Sequence, residues 1–241
     1  MLVYPLIVAV VSLAFGAVVL AQWAQRRRPH QAVWGFALLA AAAASFAFLG
    51  FEGGGSELLF RLYYIGGALL AAAYLGMGSL YLILSRRHAD LVLAALAVAS
   101  ALTVALILVT PIDHAQLFAA RHTGTPGTGV FRWSAPALIL FILHNIFGAV
   151  TVVAVALYSA YKVARRQAPA RFVVANVVIA AGVGVVSSAG SSARLGASAP
   201  FWIITAVGYA VIFGGFLLTT NLAALAAREG RDLPVGSGAS A

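Results

Sequence analysis

Long apolar stretches alternate along this chain with short linkers that carry most of its charge. Each stretch is about 20 residues long and apolar on every face, which is typical of a membrane-spanning helix rather than of a barrel strand. Lipid offers the backbone no hydrogen bonds, so a spanning segment has to satisfy its own amides as a helix. The pattern predicts an all-α membrane protein, a bundle of seven transmembrane helices: Leu2–Gln22, Val33–Phe51, Leu58–Leu84, Leu91–Thr110, Pro136–Tyr161, Phe172–Ser191 and Phe201–Ala226.

Composition supports the membrane assignment and removes several classes of chemistry. Apolar residues make up 63% of the 241 residues and charged residues only 9%, against about 25% charged in soluble domains. The chain has no cysteine, which excludes disulfides, thiolate catalysis, iron–sulfur clusters and cysteine zinc sites. Its net charge of +9 lies mainly in the linkers, where it orients helices. We therefore expect a lipid bilayer as partner and no nucleic acid.

The basic residues gather on one side of the predicted bundle. Cytoplasmic linkers of membrane proteins are enriched in lysine and arginine. Eleven basic residues fall on one side, against four on the other (Arg61, Arg121, Arg132 and Arg194). The eleven are Arg26, Arg27, Arg28, Arg86, Arg87, Lys162, Arg165, Arg166, Arg171, Arg228 and Arg231. This count predicts an outer N-terminus, a cytoplasmic C-terminus and a multi-pass location in the bacterial inner (plasma) membrane.

Two patterns bear on the internal organisation. Residues 1–227 are predicted to form one seven-helix domain, and residues 228–241, which end in glycine, serine and alanine, a short flexible cytoplasmic tail.

The segment Trp23–Trp34 aligns with Tyr161–Phe172 in its aromatic and arginine positions. This alignment predicts that spans 1–3 recur as spans 5–7, a 3+1+3 parallel repeat. Shared basic ends and aromatic rims of membrane helices explain the same alignment without a repeat.

Span 5 carries a polar pair, His144 and Asn145, about two turns from its outer end. Polar groups at that depth are costly unless they face the bundle interior. An imidazole and an amide side by side are suited to holding a ligand or a chain of water molecules. They are equally suited to an interhelical hydrogen bond. We treat both residues as candidate ligand-binding groups.

Span 3 supplies further candidates. Glu57 and Arg61 are four residues apart, the spacing of an ion pair on one helix face, and Arg61 is also placed to meet an anionic ligand. Tyr63, Tyr74 and Tyr81 are spaced to share a face of an α-helix. Tyr63 and Tyr74 are candidates for lining a pocket near the outer leaflet; packing and interface anchoring are the alternative for these tyrosines.

Span 6 has a serine face that includes Ser187 and Ser191. No histidine or acid lies beside them in sequence, so a serine nucleophile lacks its base. Helix–helix hydrogen bonding or contact with a ligand are the remaining roles. We predict no catalytic residue, no metal site and no cofactor, and the sequence favours a protein without enzymatic activity.

Two segments point to a family. Leu59–Gly66 opens span 3 and reads LFRLYYIG, and Pro111–Phe118 follows span 4 and reads PIDHAQLF. Together with the long outer linker and the basic linker after span 5, they resemble the seven-helix N-terminal membrane sensor region of bacterial histidine kinases and related signalling proteins. The sequence contains no kinase or other output domain. The resemblance therefore implies a stand-alone sensor or accessory module that signals through a partner membrane protein.

These observations lead to one predicted function and two alternatives. We expect a non-enzymatic ligand-binding, sensing or accessory module whose pocket opens to the outer side between spans 3, 5, 6 and 7. Its ligand would be a small molecule or a lipid. A small 3+1+3 facilitator for a neutral solute is one alternative, because the predicted midplane holds almost no ionisable group. A membrane subunit of a larger complex is the other.

Overall fold

The computed structural model describes residues 2–122, 126–165, 170–194 and 200–229, and these form seven long helices, here α1 to α7. Each helix is long and apolar enough to cross a membrane. The predicted fold class, an all-α seven-helix membrane bundle, is confirmed. The helices are α1 Val3–Arg26, α2 Pro29–Gly54, α3 Glu57–Leu80, α4 Arg86–Val109, α5 Ala135–Arg165, α6 Ala170–Arg194 and α7 Phe201–Glu229.

Three helices differ from the predicted spans, or extend them, at their boundaries. Helix α3 ends at Leu80 rather than at the predicted Leu84, because the amides of Leu82 and Ile83 bond to carbonyls three residues back and tighten the last turn. Helix α6 runs without interruption from Ala170 to Arg194. Helix α7 continues to Glu229, into the first residues assigned to the tail, and residues 230–241 lie outside the described part.

The middle of α3 is not an α-helix. Residues Tyr64–Ala71 form a π-helix, flanked by α-helical turns on both sides. A π-helix bonds each amide to the carbonyl five residues back and so has more residues per turn. Side chains after it are rotated relative to those before it. The prediction that Tyr63, Tyr74 and Tyr81 share one face is therefore wrong, since it assumed a continuous α-helix.

Six of the seven helices form a closed ring. Helices α1, α2, α3, α5, α6 and α7 pack in that order, each against the next, and α7 returns to pack against α1. Helix α4 lies outside this ring and contacts α3 and α5. The protein thus has an enclosed centre that α4 does not reach.

The ring is tight where glycines face a neighbouring backbone. A Cβ atom added to Gly148 of α5 would lie 2.2 Å from the carbonyl oxygen of Ala72 in α3. One added to Gly66 of α3 would lie 2.7 Å from the carbonyl oxygen of Ala40 in α2. Small residues allow such backbone approach, which drives helix association in lipid. The α2–α3 and α3–α5 contacts depend on glycine at these positions.

A folded linker covers the end of the bundle at which α1 begins, which we call the N-terminal face. Ile112 and Phe131 form an isolated antiparallel bridge, and a short helix, His114–Ala120, lies between them. Asp113 caps that helix through the amides of Ala115 and Gln116, at 3.1 Å each. The linker is tied to α3 by the Tyr64 hydroxyl, which donates to the carbonyl of Pro126 at 3.1 Å.

The carboxyl of Asp113 also lies 3.1 Å from the Arg132 guanidinium. The backbone amide of Gln116 and the Arg132 guanidinium both stabilise the charged carboxylate, and they lower the pKa of Asp113 below its usual value. Asp113 therefore caps a helix and joins the two ends of the linker.

Candidate functional site

A cavity of about 340 Å3 lies inside the six-helix ring. All six ring helices contribute to its wall, and α4 contributes no lining residue within the described part of the chain. Toward the N-terminal face it is bordered by Tyr63, Phe201 and Trp202, and deeper in the bundle by residues such as Val152 and Ile212. Its volume lies within the range of ligand-binding pockets, about 300–1,000 Å3.

The cavity wall is apolar with a few polar groups. Among the described residues, no aspartate, glutamate, lysine, arginine or histidine lines it. An ion inside would have no opposite charge to offset the loss of its hydration. The polar side chains of the wall are Ser45, Tyr63, Asn145, Ser187, Trp202, Thr205 and Tyr209. This lining suits a neutral molecule.

Aromatic rings form the wall at the N-terminal face. The rings of Tyr63 and Trp202 have centroids 5.8 Å apart, and Trp202 packs on Phe48 at 4.6 Å and on Phe201 at 5.2 Å. Tyr209 follows Trp202 by seven residues, which is two turns of α7 and hence the same helix face. The wall joins α2, α3 and α7, so its shape depends on three helices that are distant in sequence.

The polar groups of the wall differ in whether they have a partner. Ser45 donates to the carbonyl of Ala41 at 3.0 Å, and Thr205 donates to the carbonyl of Phe201 at 2.7 Å, both within one helix. By contrast, the indole N–H of Trp202 is buried and bonds to no described residue. The hydroxyls of Tyr63 and Tyr209 likewise make no hydrogen bond with the described residues.

Asn145 both lines the cavity and joins two helices. Its Nδ2 donates to the carbonyl of Ala68 in the π-helix at 2.8 Å and to that of Phe141 at 2.9 Å. Its side-chain oxygen accepts no hydrogen bond from a described residue. The amide thus anchors the π-helical part of α3 to α5 and leaves one acceptor beside the cavity.

His144 points to the other side of α5. Its Nε2 lies 3.1 Å from Ser100 Oγ in α4, and its Nδ1 lies 2.7 Å from the carbonyl oxygen of Leu140. A carbonyl only accepts, so Nδ1 donates to Leu140, and Nε2 forms a hydrogen bond with the Ser100 hydroxyl, which can donate or accept. The imidazole is 4% exposed and joins α5 to α4. His144 is not part of the cavity wall.

Arg61 is buried at the junction of α3 and α4. The predicted ion pair with Glu57 is confirmed, at 2.6 Å. The guanidinium also donates to the carbonyls of Thr110, at 2.9 Å, and of Ile107. Carbonyls at a helix C-terminus lack partners within the helix and attract a cation. Arg61 therefore caps α4, and it does not line the cavity.

Of the remaining predicted site residues, some line the cavity and others do not. Tyr74 packs edge-on against Phe36 of α2, with ring centroids 4.9 Å apart, and does not line the cavity. Ser187 lines it, whereas the side chain of Ser191 lies outside the described residues. The cavity thus brings together Tyr63, Asn145 and Ser187, and it leaves Arg61, His144 and Tyr74 elsewhere.

Most residues of the cavity wall were not predicted from the sequence, and Trp202 and Tyr209 are the two aromatic residues with polar tips among them. Trp202 stands near the start of a predicted span, and aromatic residues at the ends of membrane helices are commonly interface anchors, so its position alone does not indicate a pocket. The available signal was the seven-residue spacing of two aromatic side chains with polar tips on α7. That signal becomes specific only when α3 supplies Tyr63 opposite them.

Comparison with known proteins identifies no relative. No family model matches the sequence, and neither the curated proteins nor the solved structures contain a match.

Proposed function

We propose that this multi-pass membrane protein is a non-enzymatic module that binds a small neutral molecule in the cavity of its six-helix ring. The observation that carries the proposal is the cavity itself, which combines an apolar wall, unpartnered polar groups and no ionic side chain among the described residues. Small-molecule binding sites in proteins are typically concave and mainly apolar, with a few polar groups that converge on the ligand. Within the described residues, the cavity wall holds no nucleophile paired with a histidine or an acid.

We further propose that the cavity serves the outer side of a bacterial inner membrane. Arg26, Arg27, Arg28, Arg86 and Arg87 lie at the end of the bundle opposite the N-terminal face. The positive-inside rule makes that end cytoplasmic. Tyr63 and Trp202 border the cavity near the N-terminal face, which is then the outer face.

A sensing role is supported by the contact between the cavity and a helix junction. Asn145 lines the cavity and also holds the carbonyl of Ala68 in the π-helix. π-Helical segments are frequent at functional sites. A ligand that bonds to Asn145 would compete for or reinforce the α3–α5 contact, and a partner protein would detect that change. The resemblance to sensor regions of histidine kinases agrees with this role.

Native mass spectrometry of the protein, released from its own membrane in mild detergent, tests the binding module. We expect a stoichiometric small-molecule adduct that is lost when Ala149→Phe fills the cavity. The matched control is Val150→Phe, since Val150 is the next residue and is 60% exposed on the outside of the bundle. A bare wild-type chain, or an adduct that survives Ala149→Phe, would contradict the proposal.

A facilitator for neutral solutes is the second candidate, and the order of helices in the ring favours it. Helices α1–α2–α3 and α5–α6–α7 pack consecutively, and the α3–α5 and α7–α1 contacts close the ring. Exchanging the two triplets preserves this set of contacts, as a 3+1+3 parallel repeat requires. Transport sites commonly lie at such repeat interfaces. Solute flux into proteoliposomes that Ala149→Phe blocks and Val150→Phe does not would favour transport over sensing.

A further inference from the structure

We infer that the ligand of the cavity is a neutral, mainly apolar molecule that carries a carbonyl acceptor, such as a ketone or an ester, and that it enters sideways from the lipid between α5 and α6. This inference rests on the proposed binding function and specifies the ligand class and the entry route.

The indole of Trp202 identifies the acceptor. An indole N–H only donates a hydrogen bond. Trp202 lines the cavity, and its N–H is fully buried within the wall and has no partner among the described residues. Trp202 is 5% exposed. A buried donor without a partner is as costly as a lost hydrogen bond. An acceptor atom on a bound ligand would remove that cost.

Two tyrosine hydroxyls extend the polar part of the cavity. Tyr63 lies beside Trp202, with ring centroids 5.8 Å apart, and Tyr209 lies two turns further along α7. Both are buried, line the cavity and bond to no described residue. Tyr63 and Trp202 together are suited to hold one carbonyl oxygen, which accepts two hydrogen bonds through its two lone pairs.

The charge of the wall excludes an anionic head group. A carboxylate would also satisfy Trp202 as an acceptor. Within the described part of the chain, however, no lysine, arginine or histidine lines the cavity, so a buried carboxylate would lose its hydration without gaining a counter-charge. The aliphatic remainder of the wall, including Val152, Val183 and Ile212, matches a hydrocarbon body.

The route follows from the exposure of two lining residues. Ile146 of α5 is 53% exposed, and Ser187 of α6 is also exposed, although both line the cavity. At Gly190, one turn beyond Ser187, an added Cβ would meet no atom within 4 Å. The wall is therefore open between α5 and α6. Both residues lie within helix segments that are long and apolar enough to cross a membrane, so the opening faces lipid.

The acceptor is tested with three probes of one chain length: 2-decanone, decane and decanoate. The protein is labelled with 5-fluorotryptophan, and the fluorine resonance of Trp202 is assigned by its loss in Trp202→Phe. We expect 2-decanone to shift this resonance saturably, decane to bind about tenfold more weakly and decanoate not to bind. Equal binding of decane and 2-decanone at the cavity would overturn the acceptor while leaving the binding module intact. Failure of all three probes would overturn the ligand class, and only the additional absence of a native adduct would overturn the proposed function.

A matched pair of tyrosine variants tests the polar partners. Tyr63→Phe removes a hydroxyl from the cavity wall, and we expect about fivefold weaker binding of 2-decanone with unchanged binding of decane. Tyr74→Phe makes the same change on the same helix outside the wall, and it should leave both affinities unchanged. Equal effects of the two variants would contradict the role of Tyr63.

The entry route is tested with introduced cysteines, because the chain has none of its own. We expect a reversible thiol crosslinker between Ile146→Cys and Ser187→Cys to slow the association of 2-decanone, and reduction to restore it. The control crosslink joins Ile146→Cys to Val150→Cys along α5 and leaves the opening between the helices. Unchanged association in the Ile146–Ser187 crosslinked protein would overturn the lateral route.

Discussion

Two sets of buried polar side chains lie close together in this bundle and differ in one respect. At the junction of α3, α4 and α5, Arg61 and His144 have all their interactions within the protein. In the cavity wall, Trp202, Tyr63 and Tyr209 have polar atoms that bond to no described residue. The sequence singled out Arg61, His144 and Tyr63 alike, and it did not single out Trp202 or Tyr209. The difference teaches that a polar residue in a membrane helix indicates a ligand only when its hydrogen bonds remain unmade.

The physical reason is the cost of an unpaired polar group away from water. Arg61 meets that cost by capping α4, and His144 meets it with Ser100 and its own helix. Such groups hold helices together and have little left to offer a ligand. The indole N–H of Trp202 has no hydrogen-bond partner within the described part of the protein. Four experiments test this division and the packing and linker contacts around it, from the largest expected effect to the smallest.

Arg61→Met should cause the largest loss of stability. It removes the bonds to Glu57 and to two carbonyls at the end of α4. The pair with the partly exposed Glu57 adds little, whereas hydrogen bonds to a charged group contribute about 1.5–3 kcal/mol each. From the two carbonyl bonds we expect a loss of about 3–6 kcal/mol in the free energy of unfolding. Thermal unfolding in detergent measures it, with the exposed Arg87→Met as control. If Arg61→Met left the stability unchanged but abolished ligand binding, Arg61 would belong to the binding site and not to the helix junction.

Gly148→Ala should destabilise the α3–α5 contact. Its added methyl group would overlap the backbone of Ala72, and overpacking of this kind costs about 1–3 kcal/mol. Gly184→Ala is the matched control, since a Cβ there meets no atom within 4 Å. The free energies of unfolding of both variants are compared in the same detergent. Equal stabilities would show that α3 and α5 separate without cost.

The bond between His144 and Ser100 should have a small effect on stability and none on binding. A double-mutant cycle with His144→Ala and Ser100→Ala isolates the pair from the cavity that each truncation leaves. Interhelical hydrogen bonds in membranes average about 0.6 kcal/mol, and we expect a coupling of that size. Loss of ligand binding in His144→Ala with unchanged stability would contradict the assignment of His144 to the helix contact.

The linker on the N-terminal face should loosen on acidification. The pKa of Asp113 is lowered in the folded protein, so its stabilising contribution is present above the ordinary aspartate pKa and is lost as the pH falls through the lowered value. The protection factors of the Ala115 and Gln116 amides, which are hydrogen-exchange rates corrected for the intrinsic effect of pH, should fall over that range. Asp113→Asn keeps an oxygen acceptor without a titrating charge and should remove the pH dependence. An unchanged pH dependence in that variant would exclude Asp113 as its cause.

The length of the apolar stretches was enough to predict most of the fold, but it predicted few residues of the cavity wall. The seven spans were predictable because each must satisfy its own backbone in lipid. Tyr74 was assigned to the site because an α-helical period was extended through residues 64–71, where the backbone is π-helical. Trp202 was overlooked because an aromatic residue at a helix end has the same sequence signature in an interface and in a pocket.

The sequence by itself determined the seven-helix membrane architecture and the Glu57–Arg61 ion pair, because both depend on local spacing and on the medium around the chain. Only the tertiary structure decided that α4 lies outside the ring, that His144 bonds to Ser100 and that Trp202 is left without a partner among the described residues. A polar side chain within a membrane bundle joins two helices when a hydrogen-bond partner faces it, and it stays free for a ligand when none does. The facing residue comes from a distant part of the chain, so the local sequence does not reveal it.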